Sequence, residues 1–120
     1  MPIVWPRGTI TALLIGGVSM DVQSRKLERG PDVLIATPGR LLDHVERGQV
    51  VLRGIQMLVI DETDRMLDMG FVPDVQKIVR LLPAKRQTLF FSATLSPEIR
   101  TIGAEFVLDP KEIAVSPPST

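Results

Sequence analysis

Short apolar runs alternate along this chain with segments whose apolar residues recur at helical spacing. The first run, Ala12 to Ile15, stops at Gly16-Gly17. The polar stretch from about Asp21 to Arg29 predicts a helix, with Gly30-Pro31 as its stop. Asp32 to Ala36 reads as a buried strand. Thr37-Pro38 then supplies an N-cap and a proline at the first helical position, opening a helix that ends at Gly48. Met57-Leu58-Val59-Ile60 is too apolar for a half-exposed strand and predicts one covered on both faces. Asp64 to Leu82 is helical but broken by Gly70 and Pro73, and its second half puts Val75, Ile78, Val79 and Leu82 on one face. Thr88 to Phe91 predicts a further buried strand. Ser96-Pro97-Glu98 caps a helix with Ile99, Ile102 and Phe106 on its apolar side, and Ile113 to Val115 reads as a short last strand.

Repeated strand–helix alternation of this kind predicts an α/β fold built from βαβ units, with a mostly parallel sheet and helices on both faces. Residues 1–10, with Trp5 between Pro2 and Pro6, form an irregular lead-in; 11–115 form the folded unit; 116–120 are a linker or tail. Met66 and Met69 fit core packing. His44, the only histidine, has Asp43 and Glu46 for neighbours, which predicts a solvated surface position.

Composition narrows the function classes. A chain of 120 residues with 44% hydrophobic content suits one domain and is too apolar for a disordered one. No apolar run approaches the roughly 18 residues that cross a bilayer, and the amino terminus lacks the pattern of a signal peptide. The absence of cysteine excludes a disulfide scaffold and a cysteine zinc site, and points to a cytoplasmic setting without membrane attachment. With 14 basic and 14 acidic residues there is no general electrostatic grip on nucleic acid, so any such site must be local. Aromatics at 4% leave little for base stacking.

Ligands of parallel α/β sheets bind outside the carboxyl ends of the strands. Four polar clusters follow apolar runs directly and are expected to line one rim: Gly16-Gly17, Thr37-Pro38-Gly39-Arg40, Asp61-Glu62-Thr63-Asp64 and Ser92-Ala93-Thr94. An Asp-Glu pair after four apolar residues is the pattern of a nucleotide-hydrolase strand whose aspartate holds magnesium, with Glu62 placed to orient or deprotonate a water. It is equally the pattern of an acidic helix start. Thr37-Pro38-Gly39-Arg40 reads either as a phosphate site at a helix N-terminus or as a well-capped helix. Paired glycines mark a turn, and Ser92 and Thr94 read as strand-end hydroxyls bonding nearby backbone.

The four clusters in this order, each on its own strand, resemble the first RecA-like domain of the DEAD-box RNA helicases, and most of all its bacterial branch. The flanking text agrees in Val33 to Asp43, Leu58 to Phe71 and Arg86 to Thr94. The resemblance runs from about Thr11 to Val115 and implies a RecA-like (P-loop NTPase) domain that lacks its first strands. It implies ATP and Mg²⁺ as cofactors of the complete family, with Asp61 over the metal through water and Glu62 positioning the hydrolytic water. Asp64 would bond toward Ser92 and Thr94, coupling nucleotide state to strand separation. Gly16, Gly17, Thr37, Gly39 and Arg40 would face the sugar-phosphate backbone of RNA, without sequence preference.

Two departures accompany the resemblance. Thr63 stands where the family name records alanine, adding a branch and a hydroxyl that are expected beside the magnesium site. The loop G-x-x-x-x-G-K-[ST] is absent, since no glycine here is followed by lysine, and the upstream Pro-Thr-Arg-Glu-Leu motif and the second RecA-like domain are absent too. The chain thus reads as the rear two-thirds of one domain. That loop supplies most phosphate-holding N–H groups, and its strand normally lies beside the Ser-Ala-Thr strand, so the apolar edge Thr88 to Phe91 is expected to be open to self-association. The leading expectation is a partial ATPase core. The alternatives are an RNA-binding module without ATPase activity and an inactive remnant.

Overall fold

A computed structural model describes residues 7–114. The elements are β1 (Thr11–Leu14), α1 (Met20–Glu28), β2 (Val33–Ala36), α2 (Pro38–Glu46), β3 (Met57–Ile60), α3 (Thr63–Asp68), α4 (Val72–Arg80), β4 (Gln87–Phe90) and α5 (Pro97–Phe106). The predicted alternation is present, with bounds shifted by a residue or two where strands meet their loops. The expected strand at Ile113 to Val115 is not formed: Ile113 and Ala114 have no strand geometry, Ile113 is 80% exposed, and Val115 lies outside the described residues, as do the first six positions of the lead-in and the tail.

Every strand pairing is parallel. β1 pairs with β2 from Thr11↔Val33 to Leu14↔Ala36, and β3 with β4 from Met57↔Gln87 to Ile60↔Phe90. These are two separate two-stranded pairs, so among the described residues all four strands have one open edge. The expected α/β architecture with parallel strands is present, and its strands group two and two, since no described strand bonds to both β2 and β3. Neither pair is covered on both faces. In the first, Leu13 and Ile35 sit opposite each other and are 44% and 52% exposed, and in the second Met57 and Val59 are half-exposed. The fully covered strand expected at Met57–Ile60 thus buries Ile60 and leaves Met57 and Val59 facing out.

Each pair has its own core. Ala12, Leu14 and Leu27 form one, joined by Leu34, Leu41 and Val50; Ile60, Val75, Ile99, Ile102 and Phe106 form the other, flanked by Met66 and Phe90. A fully buried aliphatic side chain stabilises by about 1.5–3 kcal/mol relative to exposure, so the second core is the stronger. The helical face expected from Val75 onward is present, with Val75 and Ile78 buried and Val79 and Leu82 half-buried. Of the two methionines expected in the core only Met66 packs there; Met69 is 60% exposed, because α3 ends at Asp68 and Met69 turns outward at its C-cap.

Local devices fix the second half. Ser96 caps α5, its Oγ accepting from Ile99 N at 3.2 Å. Arg86 ties the entry of β4 to the end of α5, donating to Thr88 Oγ1, Pro83 O and Phe106 O at 3.0–3.1 Å. α5 passes over the Phe90 ring of β4 at Gly103, where a Cβ would stand 3.4 Å from the ring, an ordinary van der Waals contact. α2 contacts α4 and links the two halves.

Candidate functional site

The four clusters come together as two pairs rather than as one rim. At the ends of β1 and β2, Thr37 N donates to Leu14 O at 3.0 Å, which sets the loop after β2 against the end of β1. Arg40, in the first turn of α2, donates from Nη1 to Val18 O at 2.7 Å and to Gln23 Oε1 at 3.2 Å. Thr37 takes extended geometry before Pro38, yet its hydroxyl makes no cap bond, and the residue is exposed. Gly17 has φ +82°, a conformation that favours glycine. Among the described residues nothing lies within 4 Å of a Cβ built on Gly16 or Gly39, so none of them requires glycine at either position.

At the ends of β3 and β4 the acidic cluster meets Ser92-Ala93-Thr94. Asp61 and Glu62 are both exposed. Glu62 is left-handed, with φ 53° and ψ 42°, and its N–H donates to Asp61 Oδ1 at 2.7 Å. A non-glycine residue in this region carries a backbone cost of about 1–3 kcal/mol, and such strain is concentrated at functional sites. The turn throws the two carboxylates outward while the chain passes directly into α3. Arg65 lies 3.8 Å from Glu62 across one helical turn, a pair too exposed to hold either residue firmly. Asp64 Oδ1 accepts from Arg65 N at 3.0 Å, and its Oδ2 accepts from Thr94 Oγ1 at 3.4 Å. Ser92 Oγ is buried and makes no hydrogen bond, so the expected Asp64–Ser92 contact is absent: of the two hydroxyls, only that of Thr94 reaches the carboxylate. The two hydroxyls also do not bond local backbone as strand-end hydroxyls would.

Thr63 corrects a further expectation. Its side chain is 1% exposed and turned into the fold, with Oγ1 donating to Phe91 O at 3.1 Å beside its own N–H at 3.3 Å. The hydroxyl is therefore spent on the end of β4 instead of crowding the exposed carboxylates. Phe91 N in turn donates to Ile60 O at 2.8 Å, so the start of α3 and the exit of β4 are laced together.

His44 is also not where its neighbours in sequence suggest. It is completely buried, with Nδ1 2.7 Å from the Gln49 side-chain amide and Nε2 2.7 Å from Gln23 Oε1. Gln23 is equally buried, and its Nε2 donates to Ile15 O at 2.8 Å. The sequence does contain a signal for both. Gln23 lies four residues before Leu27 on the inward stripe of α1, and His44 three after Leu41 on that of α2, so each is a polar residue in an apolar register.

Among the described residues no group of three or more His, Cys, Asp or Glu could hold a metal unaided. One exposed aspartate matches the other mode of magnesium binding, in which one or two carboxylates act together with water and substrate phosphates. Asp61, exposed at the end of β3, has the chemistry such a carboxylate needs. None of the described helices is long and apolar enough to cross a membrane.

The DEAD/DEAH box helicase profile matches residues 4–102. The ATP-dependent RNA helicase DeaD of Escherichia coli (strain K12) is 45% identical over 109 residues, which cover 91% of this chain and 17% of that protein. The ATP-dependent RNA helicase CshA of Limosilactobacillus reuteri is 45% identical over 103 residues, 86% of this chain and 21% of the relative. DEAD-box ATP-dependent RNA helicase 52A of rice (Oryza sativa subsp. japonica) is 52% identical over 104 residues. Among solved structures, the yeast DEAD-box splicing factor Prp28 superposes with a TM-score of 0.78 at 37% identity, over 83% of this chain and 23% of that one. A DEAD box protein from Methanococcus jannaschii gives 0.79 at 34% identity, over 85% of this chain and 28% of that one. The chain spans about a fifth of the length of these curated relatives.

Proposed function

This chain belongs to the DEAD/DEAH box helicase family, its matched stretch lying in the helicase core, and from that premise we propose that it supplies the acidic and backbone-facing parts of an ATP-driven RNA-remodelling site. Asp61 would face the magnesium of a bound nucleotide, Glu62 would orient the attacking water, and Asp64 with Thr94 would relay the state of that site to the loop after β4. Magnesium bound with ATP would neutralise charge developing on the transferred phosphate. Gly16, Gly17, Thr37, Gly39 and Arg40 would meet the RNA backbone, a mode that suits amides and one guanidinium and carries no sequence preference. The carrying observation is the strained turn at Glu62, which holds two carboxylates in the open beside the Asp64–Thr94 bond. The glycines at 16 and 39, which none of the described residues requires, support close approach of a ligand backbone. The setting we assign is cytoplasmic, and residues 11–115 form the folded unit.

The Gly-Lys loop that would cradle phosphates is absent from this sequence, so the chain by itself is a binding module and hydrolysis belongs to an assembled core. Two assays on the 120-residue chain test this. Fluorescence anisotropy with labelled oligouridine and a mixed-sequence RNA should give equal affinities within about twofold, unchanged by ATP. Arg40→Ala should weaken both about tenfold, equivalent to roughly 1.4 kcal/mol. RNA-stimulated phosphate release that disappears in Glu62→Gln would show the chain to be hydrolytic alone and overturn this part of the reading. The open strand edges and the half-exposed Met57, Val59 and Leu13 support self-association, and a concentration-independent monomer in sedimentation velocity would count against it.

A further inference from the structure

Between the two backbone-facing loops lies a buried polar cluster that the reading above leaves without a role. Gln23 from α1 touches three partners. Its Nε2 donates to Ile15 O, immediately before Gly16; its Oε1 lies 2.7 Å from His44 Nε2 and 3.2 Å from Arg40 Nη1. The same Arg40 nitrogen donates to Val18 O, immediately after Gly17. One side chain therefore grips the loop before the glycine pair directly and after it through Arg40.

The direction of each bond follows from counting hydrogens. Ser24 Oγ has one hydrogen and two oxygens at 2.8 Å, Met20 O and the atom placed as Gln49 Oε1. The helix carbonyl can only accept, so the hydroxyl donates to Met20 O and must accept from Gln49. Exchanging oxygen and nitrogen leaves a glutamine amide in the same plane, and only with its nitrogen inward does Gln49 donate both to Ser24 Oγ and to His44 Nδ1. His44 then holds its single hydrogen on Nε2 and donates it to Gln23 Oε1, whose second lone pair takes Arg40. Gln23 is thereby locked: turned over, its NH₂ would face two donors, and its oxygen would face the Ile15 carbonyl.

We propose that Gln23 and His44 are positioning residues for nucleic-acid binding. Together they fix Arg40 and the Ile15–Val18 turn in one arrangement, so that both loops meet a phosphodiester backbone already ordered. The inference rests on the preceding reading that these loops face RNA. Ordering them beforehand removes a cost that would otherwise be met at the moment of binding. The arrangement also requires a side chain that donates at the Nε2 position of residue 44. Glutamine reaches that position and asparagine does not.

The test uses the full chain, labelled oligouridine and anisotropy at one salt concentration. Gln23→Met and His44→Asn should each weaken binding about three- to tenfold, while His44→Gln stays within twofold of the parent. Gln23→Met combined with Arg40→Ala should bind no more weakly than Arg40→Ala alone. Multiplicative losses in the double variant, or equal losses for His44→Asn and His44→Gln, would overturn the proposal. A long-range ¹⁵N spectrum of the parent chain tests the lock with no substitution, and so holds even where a variant fails to fold. Nε2 should be the protonated nitrogen and Nδ1 the bare one, and the reverse tautomer would overturn the network. If Arg40→Ala leaves binding unchanged, the reading of the loops as RNA-facing fails. If Arg40→Ala weakens binding while Gln23→Met and His44→Asn do not, that reading survives and the positioning role fails.

Discussion

In the half built on β1, β2, α1 and α2, three small or medium apolar residues form the core, and the loops are held by hydrogen bonds running through Gln23, His44 and Arg40. In the half built on β3, β4 and α3–α5, five buried apolar residues form the core, and the acidic loop is held by packing plus the double contact of Thr63 with Phe91 O. Hydrogen bonds are directional and apolar contact is not. Damage to the first half should therefore misplace loops before it unfolds the chain. Damage to the second should unfold it before misplacing anything.

The sharpest way to break this contrast is Ile99→Ala, which empties a site that is 1% exposed in the larger core. It should cost about 2–5 kcal/mol, read as a large fall in thermal midpoint. Amide exchange would then sharpen the comparison: α1 and α2 keeping their protection would mean that the halves unfold separately, whereas joint loss would mean that the α2–α4 contact makes them one cooperative unit. Thr63→Val keeps the branch and removes the hydroxyl, and should cost about 1 kcal/mol in denaturant titration, since Phe91 O keeps the Thr63 N–H. Ser96→Ala removes the one side-chain cap seen among the described helices and should also cost about 1 kcal/mol, with fraying confined to the first turn of α5.

Glu112→Gln should change the thermal midpoint least. Glu112 raises the Arg100 guanidinium above its ordinary value, through its hydrogen bond first and its charge second, but both side chains are exposed to solvent. A raised arginine contributes stability below its unfolded value and loses it only above its folded one. Both lie far above neutrality, so this pair gives no pH dependence near pH 7.

What could be read from the sequence was what is local. Met57–Ile60 declares itself as four apolar residues ending in an acid, and Ser96-Pro97 declares a helix start; both elements are present. Gly70 and Pro73 break the following helical stretch into α3 and α4 as their chemistry requires. What stayed hidden was set by distant partners. His44 carries acidic neighbours that face outward, while the residue that buries it, Gln23, lies 21 positions away. Ser92 and Thr94 are alike in sequence, and only the placement of Asp64 separates the bonded hydroxyl from the orphaned one. Strand pairing is likewise non-local, so a fourfold alternation gave no sign that its strands would group two and two. The candidate site was thus legible as a set of residues, but neither its division into two pairs nor the inward turn of Thr63 was.

With Glu62 in the water-orienting role proposed above, its left-handed backbone would set stability against chemistry at a single codon. Glycine or asparagine would suit that backbone better, and either would delete a carboxylate from the exposed pair. A library screened only for heat resistance should therefore drift away from glutamate at this position, and one screened for turnover in an assembled core should hold it. Residue 62 is where those two selections would part company.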